Sequence, residues 1–137
     1  MTSSRICREQ FEQFHACVII PTYNNETSLA QVITDVAKYT DHIIVVNDGS
    51  TDGSKAIIES FSFVQMVSYT PNKGKGWALR QAFAYAAQKG YQYGVTIDSD
   101  GQHFANDLCM FMDKLMIEKN AIIIGARNMN QESVPGG

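Results

Sequence analysis

Two aspartates and a glutamine at alternate positions form the pattern in this sequence that best suits metal binding. Asp98, Asp100 and Gln102 follow a short apolar run that is typical of a strand. Two carboxylates at a strand end can turn toward one hard cation, which takes oxygen ligands and often keeps positions for phosphate oxygens. The amide of Gln102 can add a neutral oxygen. The alternative is a turn in which the aspartates only cap the next helix.

A further carboxylate, Asp48, also follows an apolar run and begins an Asp-Gly-Ser sequence. In a binding role, a carboxylate fixed at a strand end can accept hydrogen bonds from a nucleobase imide or a ribose hydroxyl, and such buried pairing discriminates strongly between ligands. The alternative is ordinary turn and helix-capping chemistry.

Three cationic residues could contact phosphate. Arg127 follows a predicted buried strand and a glycine, and its guanidinium can offer planar donors to a phosphate, although it could equally be a solvated loop residue. Lys73 and Lys75 alternate with glycines, but no GxxxxGK[ST] motif is present, so this segment could equally be a flexible loop that opens a helix. The neighbouring Trp77 is interpreted as a core residue.

The elements that must position these residues alternate between two types. Short apolar runs predict strands at 17–21, 42–46, 64–69, 93–97 and 120–125. Apolar residues at helical spacing predict helices over 29–37, 79–87 and 108–116. Ser50 or Thr51 can cap another helix that runs to about residue 61. Gly90 stands where a left-handed residue would end the helix predicted over 79–87.

This alternation predicts an α/β fold with a mostly parallel sheet. Because crossovers between parallel strands are right-handed, the carboxyl ends of all strands meet at one edge, where open α/β sheets bind ligands. The polar residues described above all follow predicted strands or begin helices beside them. We therefore expect several loops to converge on one cleft at this edge.

Composition limits the class of protein. The chain has 137 residues, a net charge of -3 and a pI near 5.5, which fits one domain and excludes nucleic-acid binding over a broad basic surface, leaving room only for a local basic pocket. The odd number of cysteines without a CxxC pair argues against a disulfide framework or a structural zinc site and favours a reducing, cytoplasmic compartment. The sequence offers no signal peptide, and its apolar runs are too short to span a membrane.

Five segments carry a resemblance to a known family. VIIPTYNNE, VVNDGSTDGS, NKGKGWALRQAF, TIDSDGQH and IIGAR occur in the order and approximate spacing of the family 2 glycosyltransferases. The chain resembles these enzymes over about residues 17–127, and the resemblance implies their GT-A fold, a Rossmann-like nucleotide-diphospho-sugar transferase fold with a mostly parallel sheet flanked by helices. The last two segments look most like the polyprenyl-phosphate mannosyl- and glucosyltransferase branch.

The resemblance implies roles for individual residues in binding the sugar donor. Pro21 and Tyr23 would flank the nucleotide base, and Asp48 would bond the base or the ribose. The implied set of nucleotide-sugar contacts is Pro21, Tyr23, Glu26, Asp48, Lys75, Asp98, Ser99 and Arg127.

The same resemblance implies a metal cofactor, Mg²⁺ or Mn²⁺, that bridges the donor's diphosphate. Asp100 would be its principal ligand, assisted by Asp98 and Gln102, and Arg127 would contact donor phosphate as charge develops on the departing nucleotide. The implied reaction is an inverting transfer from a UDP- or GDP-sugar to a polyprenyl phosphate or saccharide.

Three positions depart from the family pattern. Asn47 replaces the first of a frequent aspartate pair, which leaves Asp48 to contact the base. Asn25 stands where glutamate is common, so Glu26 is the candidate for that role. Phe104 stands where proline is frequent.

The resemblance also predicts how the chain is organised. We expect residues 1–16 to be an N-terminal extension, 17–127 the nucleotide-sugar-binding domain, and 128–137 a loop that leads to an acceptor-binding region missing from a truncated chain. The catalytic base is accordingly unassigned, and the parent protein would work in the cytoplasm or at the cytoplasmic face of a membrane. An exposed sheet edge would favour self-association.

Two other functions were compared with sugar transfer. A non-catalytic module that binds a nucleotide sugar or a protein partner would keep the same fold without the acceptor region. A dinucleotide-binding oxidoreductase requires GxGxxG in the first strand-to-helix turn, and residues 21–26 contain no glycine, which excludes it.

Overall fold

Strands and helices alternate along the part of the chain that the structure describes. The computed structural model describes residues 2–99 and Cys109, with side chains from residue 5 onward. Its elements are α1 (Thr2–Phe14), β1 (Ala16–Thr22), α2 (Leu29–Ala37), β2 (Ile43–Asp48), α3 (Ser54–Glu59), β3 (Gln65–Tyr69), α4 (Lys75–Gln88) and β4 (Tyr93–Thr96). The strand at 120–125 and the helix at 108–116 were predicted outside these residues, except for Cys109, which is helical.

The four strands form one parallel sheet in the order β3-β2-β1-β4. β1 is central, pairing Val18 with Ile43 of β2 and Cys17 with Gly94 of β4. All residues of β2 and all but Pro21 of β1 are buried, as expected for strands covered on both faces. The mostly parallel sheet predicted from the sequence is therefore confirmed, and the carboxyl ends of its strands lie at one edge.

Helices cover both faces of this sheet. Helices α1, α2 and α3 bury apolar residues against one face, together with Val18 and Val45. Helix α4 covers the other face, where its small side chains Ala78, Ala82 and Ala86 pack with Ile19 and Ile44. None of the helices in residues 2–99 combines the length and apolar character needed to cross a bilayer.

Helix α1 occupies most of the segment expected to be an N-terminal extension. Its Cys7 and Phe11 side chains are completely buried in the core. The Arg8 guanidinium donates to the backbone oxygen of Ala37 and lies 3.3 Å from an Asp41 carboxylate oxygen. This segment is therefore packed onto the domain as a helix, which the sequence analysis did not predict.

Two predictions about helix ends had different outcomes. Gly90 follows α4 with φ +93°, which confirms its predicted left-handed conformation. The prediction that Ser50 or Thr51 caps the second crossover helix was wrong, because α3 begins only at Ser54. There the Ser54 N–H donates to the Asp52 carboxylate at 2.9 Å, an acceptor that an aspartate two residues earlier can readily provide.

The prediction that Trp77 is a core residue was also wrong. Its side chain is 38% exposed, whereas Ala78 beside it is completely buried. Alanines fill the sheet-facing positions of α4, and this places Trp77 away from the sheet.

Candidate functional site

The carboxyl ends of β1, β2 and β4 and the start of α4 surround one cleft. Its volume is about 400 Å³, which is within the range of roughly 300–1,000 Å³ typical of small-molecule sites. The residues that line it are Pro21, Thr22, Tyr23, Asn25, Asp48, Asn72, Gly74, Lys75, Ala78, Asp98 and Ser99. The structure thus brings together six of the predicted donor contacts, all except Glu26 and Arg127.

Asp48 ends β2 with its side chain almost fully buried. Its carboxylate accepts hydrogen bonds from Asn72 Nδ2 at 2.7 Å, from Lys73 N at 2.8 Å and from Gly74 N at 3.0 Å. An ionised carboxylate offers about four acceptor positions, so these three bonds use most of them. Asp48 therefore holds the loop between β3 and α4 in place at the cleft wall.

The aromatic ring of Tyr69 lies beside this carboxylate, at the end of β3. Its hydroxyl is buried and has no hydrogen-bond partner of good geometry among the described residues. Burial is the main cause that raises the pKa of Tyr69 well above its ordinary value, and the closeness of its hydroxyl to the Asp48 side chain and then the charge of that side chain add to it. Tyr69 therefore stays a neutral phenol beside the Asp48 side chain.

Residue 49, which directly follows β2, must be a glycine because the loop between β3 and α4 passes very close to it. Gly49 has φ +73°, and a Cβ there would lie 2.3 Å from the backbone nitrogen of Asn72. No side chain fits such an approach, because real Cβ atoms do not come within 3.0 Å of other heavy atoms. The loop can therefore reach Asp48 only because the residue that follows it has no side chain.

An ion pair spans the cleft between α4 and β4. Lys75, the first residue of α4, donates from Nζ to Asp98 Oδ1 at 2.7 Å. The Lys75 side chain is 56% exposed and that of Asp98 is 20% exposed. Because solvent-exposed pairs of this kind contribute only about 0–1 kcal/mol, a charged ligand can rearrange this one at little cost.

Ser99 connects the end of β4 to the loop after β1. Its hydroxyl lies 2.8 Å from Asn25 Oδ1 and 3.1 Å from both Pro21 O and Thr22 Oγ1, and its single hydrogen can be donated to one of them at a time. The Ser28 hydroxyl donates to the Ser99 backbone oxygen at 2.6 Å. These contacts give Ser99 a positioning role within the described residues.

Glu26 lies away from the cleft. Its carboxylate accepts a hydrogen bond from Gly53 N at the start of α3, and its own N–H donates to Asp52. Asn25 lines the cleft instead, where its side-chain oxygen faces Ser99. Of these two neighbours, the structure therefore places the asparagine, and not the predicted glutamate, at the site.

Among the cleft residues that were not predicted, Asn72 has the largest role. It lines the cleft and bonds both the carboxylate and the backbone oxygen of Asp48. The signal in the sequence was its position, because Asn72 is a polar residue that follows the strand predicted at 64–69 and directly precedes Lys73. Asn47 also has a local role, since its side chain bonds Ser68 Oγ and the Ser50 N–H.

Of the predicted metal ligands, Asp98 lies within the described residues. Asp100, Gln102 and Arg127 lie outside the described residues, and within those residues no group of three or more potential metal-binding side chains is found. Asp98 fits a hard cation, because it offers carboxylate oxygen at the cleft and already pairs there with the positive charge of Lys75.

A protein-family model matches most of the chain. The model of the family described as Glycosyl transferase family 2 matches residues 17–135. The chain is 33% identical over 127 residues to polyprenol monophosphomannose synthase of Mycolicibacterium smegmatis, covering 88% of this chain and 46% of that protein. It is 28% identical over 151 residues to dolichyl-phosphate beta-glucosyltransferase of Saccharomyces cerevisiae, covering 90% and 44%.

A third relative, from Methanococcus voltae, is UDP-N-acetylglucosamine--dolichyl-phosphate N-acetylglucosaminyltransferase. The identity is 27% over 130 residues, covering 82% of this chain and 52% of that protein. The chain therefore spans about half the length of the curated relatives that it matches.

Solved structures show the same likeness. Glucosyl-3-phosphoglycerate synthase of Mycobacterium tuberculosis in complex with UDP is 25% identical, with a TM-score of 0.59 over 74% of this chain and 40% of that one. A second structure of that enzyme, with Mn²⁺, UDP-glucose and phosphoglyceric acid, gives the same identity, TM-score and coverage.

Proposed function

The chain belongs to glycosyl transferase family 2 and has the GT-A fold, and on this premise we propose that its cleft binds a nucleotide-diphosphate sugar for hexosyl transfer. One observation carries the proposal. Asp48, Lys75 and Asp98 come from three separate elements and line one cleft with the exposed ring of Tyr23.

Each of these groups suits one part of such a donor. The Tyr23 side chain is 47% exposed beside Pro21 and offers an apolar surface for a nucleobase. The acceptor position left on Asp48 can receive a hydrogen bond from the base or ribose. The ammonium of Lys75 can contact the diphosphate, since its partner Asp98 is partly exposed and lies at the same opening.

The proposed metal is Mg²⁺ or Mn²⁺, held by Asp98 together with Asp100 and Gln102. The ion supplies positive charge to the diphosphate and so stabilises the leaving nucleotide. The support is the hard oxygen donor of Asp98 in the cleft and the presence of Mn²⁺ with UDP-glucose in a structure of similar fold. Arg127 would add a further positive charge at the donor phosphates.

We further propose that the transfer inverts the anomeric centre and that the acceptor is a lipid phosphate of the polyprenyl type. The support is the names of three related enzymes, all of which include dolichyl phosphate or polyprenol. No residue of the described chain is assigned as the catalytic base. Self-association through a sheet edge remains an expectation, which the mass of the chain in solution would test.

Thermal stability in the presence of nucleotide sugars tests the donor proposal. UDP-, GDP- and dTDP-sugars are added to the chain with Mn²⁺, with Mg²⁺ or with EDTA. We expect the sugars of one base to raise Tm, and only when a metal is present, because the proposed metal joins the diphosphate to the protein. A ligand at 100 times its Kd adds about 2.7 kcal/mol to the unfolding free energy, which is enough to be seen as a shift in Tm.

Matched variants localise the effect. Lys75→Met should lower donor affinity at least tenfold, whereas Lys55→Met removes the same charge from an exposed position of α3 outside the cleft and should change nothing. Equal donor affinity in both variants, or a Tm shift that does not need metal, would refute this assignment. Donor binding without transfer to polyprenyl phosphate would favour the non-catalytic module.

A further inference from the structure

The charges of this chain are distributed unevenly along the sequence. Between Glu59 and Asp98 there is no acidic residue, and this segment carries four of the eleven lysines and arginines. All fourteen acidic residues lie in the rest of the chain. A protein of net charge -3 thus has one segment that is purely cationic, and it contains helix α4.

The outward side of α4, together with Lys73 in the loop before it, combines this charge with an exposed aromatic ring. Lys73 Nζ lies 5.0 Å and Arg80 Cζ lies 6.0 Å from the ring centroid of Trp77. All three residues are exposed, and the buried residues of the helix, such as Ala78 and Ala82, face the sheet. We call Lys73, Trp77 and Arg80 the Trp77 patch.

The patch has the chemistry of a surface that contacts lipid headgroups. A tryptophan ring is favoured at the boundary between headgroups and acyl chains, because it has an apolar body and a polar N–H. Lysine and arginine beside it are attracted to anionic lipid phosphates. The rest of the chain carries fourteen acidic and seven basic residues, so charge complementarity favours a surface that touches this segment alone over an extended polynucleotide.

From this we infer that the Trp77 patch docks the protein on an anionic membrane surface. The patch adjoins the cleft, because Lys75, between Lys73 and Trp77 in sequence, lines the cleft wall. Docking through it would hold the cleft close to lipid phosphates. The choice of a membrane over another anionic partner rests on the lipid-phosphate acceptor proposed above.

Fluorescence gives a direct test, because Trp77 is the only tryptophan in the chain. The full chain is titrated, without nucleotide sugar, with vesicles of phosphatidylcholine alone or with about one third phosphatidylserine. We expect the emission to shift to the blue only with the anionic vesicles and to return to its original position in high salt. Sedimentation with the vesicles measures the affinity.

Two double variants separate the patch from general charge. Lys73→Gln with Arg80→Gln should weaken vesicle binding about 25-fold, since each cation near the surface contributes about fivefold. Lys38→Gln with Lys55→Gln removes the same charge from the end of α2 and from α3, on the opposite face of the sheet, and should weaken binding far less. Single-stranded RNA serves as a competing polyanion.

Several results would overturn the inference. These are the absence of binding to anionic vesicles, equal losses in the two double variants, and tight RNA binding without vesicle binding. The donor titrations described above are independent of vesicles. Failure of donor binding with intact vesicle binding would therefore remove only the proposed function, and the reverse would remove only the membrane surface.

Discussion

The Asp48 carboxylate combines two tasks that the sequence alone could not separate. It was predicted as a ligand contact, and it does line the cleft, but three of its hydrogen bonds go to Asn72, Lys73 and Gly74 of the same chain. Hydrogen bonds to a charged group contribute about 1.5–3 kcal/mol. Asp48 therefore shapes the site even when no ligand is involved.

Replacing this charge should loosen the loop. In Asp48→Asn, an amide group of equal size turns an NH₂ toward N–H donors, and we expect a loss of about 1.5–3 kcal/mol in unfolding free energy. Hydrogen exchange of the Lys73 and Gly74 amides should accelerate at least tenfold. Asp41→Asn is the control: it removes one exposed ion pair with Arg8, should cost less than about 1 kcal/mol, and should leave exchange of these amides unchanged. Unchanged exchange at both amides in Asp48→Asn would contradict the assigned role.

Among the elements, helix α1 is the addition that the structure makes to the predicted domain. It packs only a few apolar residues against the core, with Cys7 and Phe11 one helical turn apart and polar residues around them. Phe14 at the end of the helix adds an edge-to-face contact with the Tyr93 ring, and polar contacts reach residues that are distant in sequence. His42 lies 2.7 Å from Glu12 of this helix through Nε2 and 2.8 Å from the Tyr91 hydroxyl through Nδ1.

A matched pair of substitutions tests how much α1 stabilises the domain. Phe11→Ala should lower the unfolding free energy by about 3–5 kcal/mol, because it leaves a cavity at a fully buried position. Ile6→Ala on the same helix removes a side chain that is 53% exposed and should change it by less than about 0.5 kcal/mol. Urea unfolding measures both. Similar small losses in the two variants would mean that α1 does not belong to the cooperative core.

The four strands of the described residues were predicted well because their physical signal is local. Runs such as 42–46 are apolar on successive residues, and the structure buries β2 on both faces, with its end extended to Asp48. Helix α1 was not predicted, although Cys7, Phe11 and Phe14 fall at i, i+4 and i+7, because these apolar residues are few and stand among polar neighbours. Trp77 was misplaced for the opposite reason, since its apolar character suggested burial while the alanines of α4 take the sheet-facing positions.

For the site, the sequence predicted the residues at strand ends better than the contacts between them. Asp48 and Asp98 were identified because residues at the ends of parallel strands meet at one edge, whereas Lys75 entered the predicted site through the family resemblance. The partnership of Asp48 with Asn72, 24 residues away, depends on the close approach of the loop to Gly49. Such contacts arise from tertiary packing, and neither composition nor periodicity predicts them.

For the molecule as a whole, a thiol and two tyrosine hydroxyls with raised pKa values predict that the folded state loses stability at alkaline pH. Burial raises the pKa of the Cys17 thiol from 9.0 to about 12, and burial is also the main cause that raises the pKa of Tyr69 and Tyr91. At pH values between the ordinary pKa and the raised pKa of such a group, the folded state keeps a proton that the unfolded state has lost. Stability is then fully present below about pH 9 and falls as the pH rises further.

Urea unfolding between pH 7 and pH 11 measures this dependence. We expect a midpoint that is nearly constant to about pH 9 and then decreases, with a smaller decrease in Cys17→Ala because that variant lacks one of the buried acids. The folded chain should also protect Cys17 from alkylation at pH 8, since its side chain is completely buried. A midpoint that increases between pH 9 and pH 11 would have the wrong sign and would rule out this explanation.

The hydrogen bonds behind the cleft also affect how it would bind a ligand. Asp48 fixes the loop before α4, and Ser99 fixes the end of β4 to the loop after β1. The conformational entropy of these loops is therefore lost during folding, so a ligand meets a preorganised surface and does not have to order it. Substitutions at Asn72 or Ser28 should consequently weaken binding by restoring loop freedom, even where they contact no ligand atom.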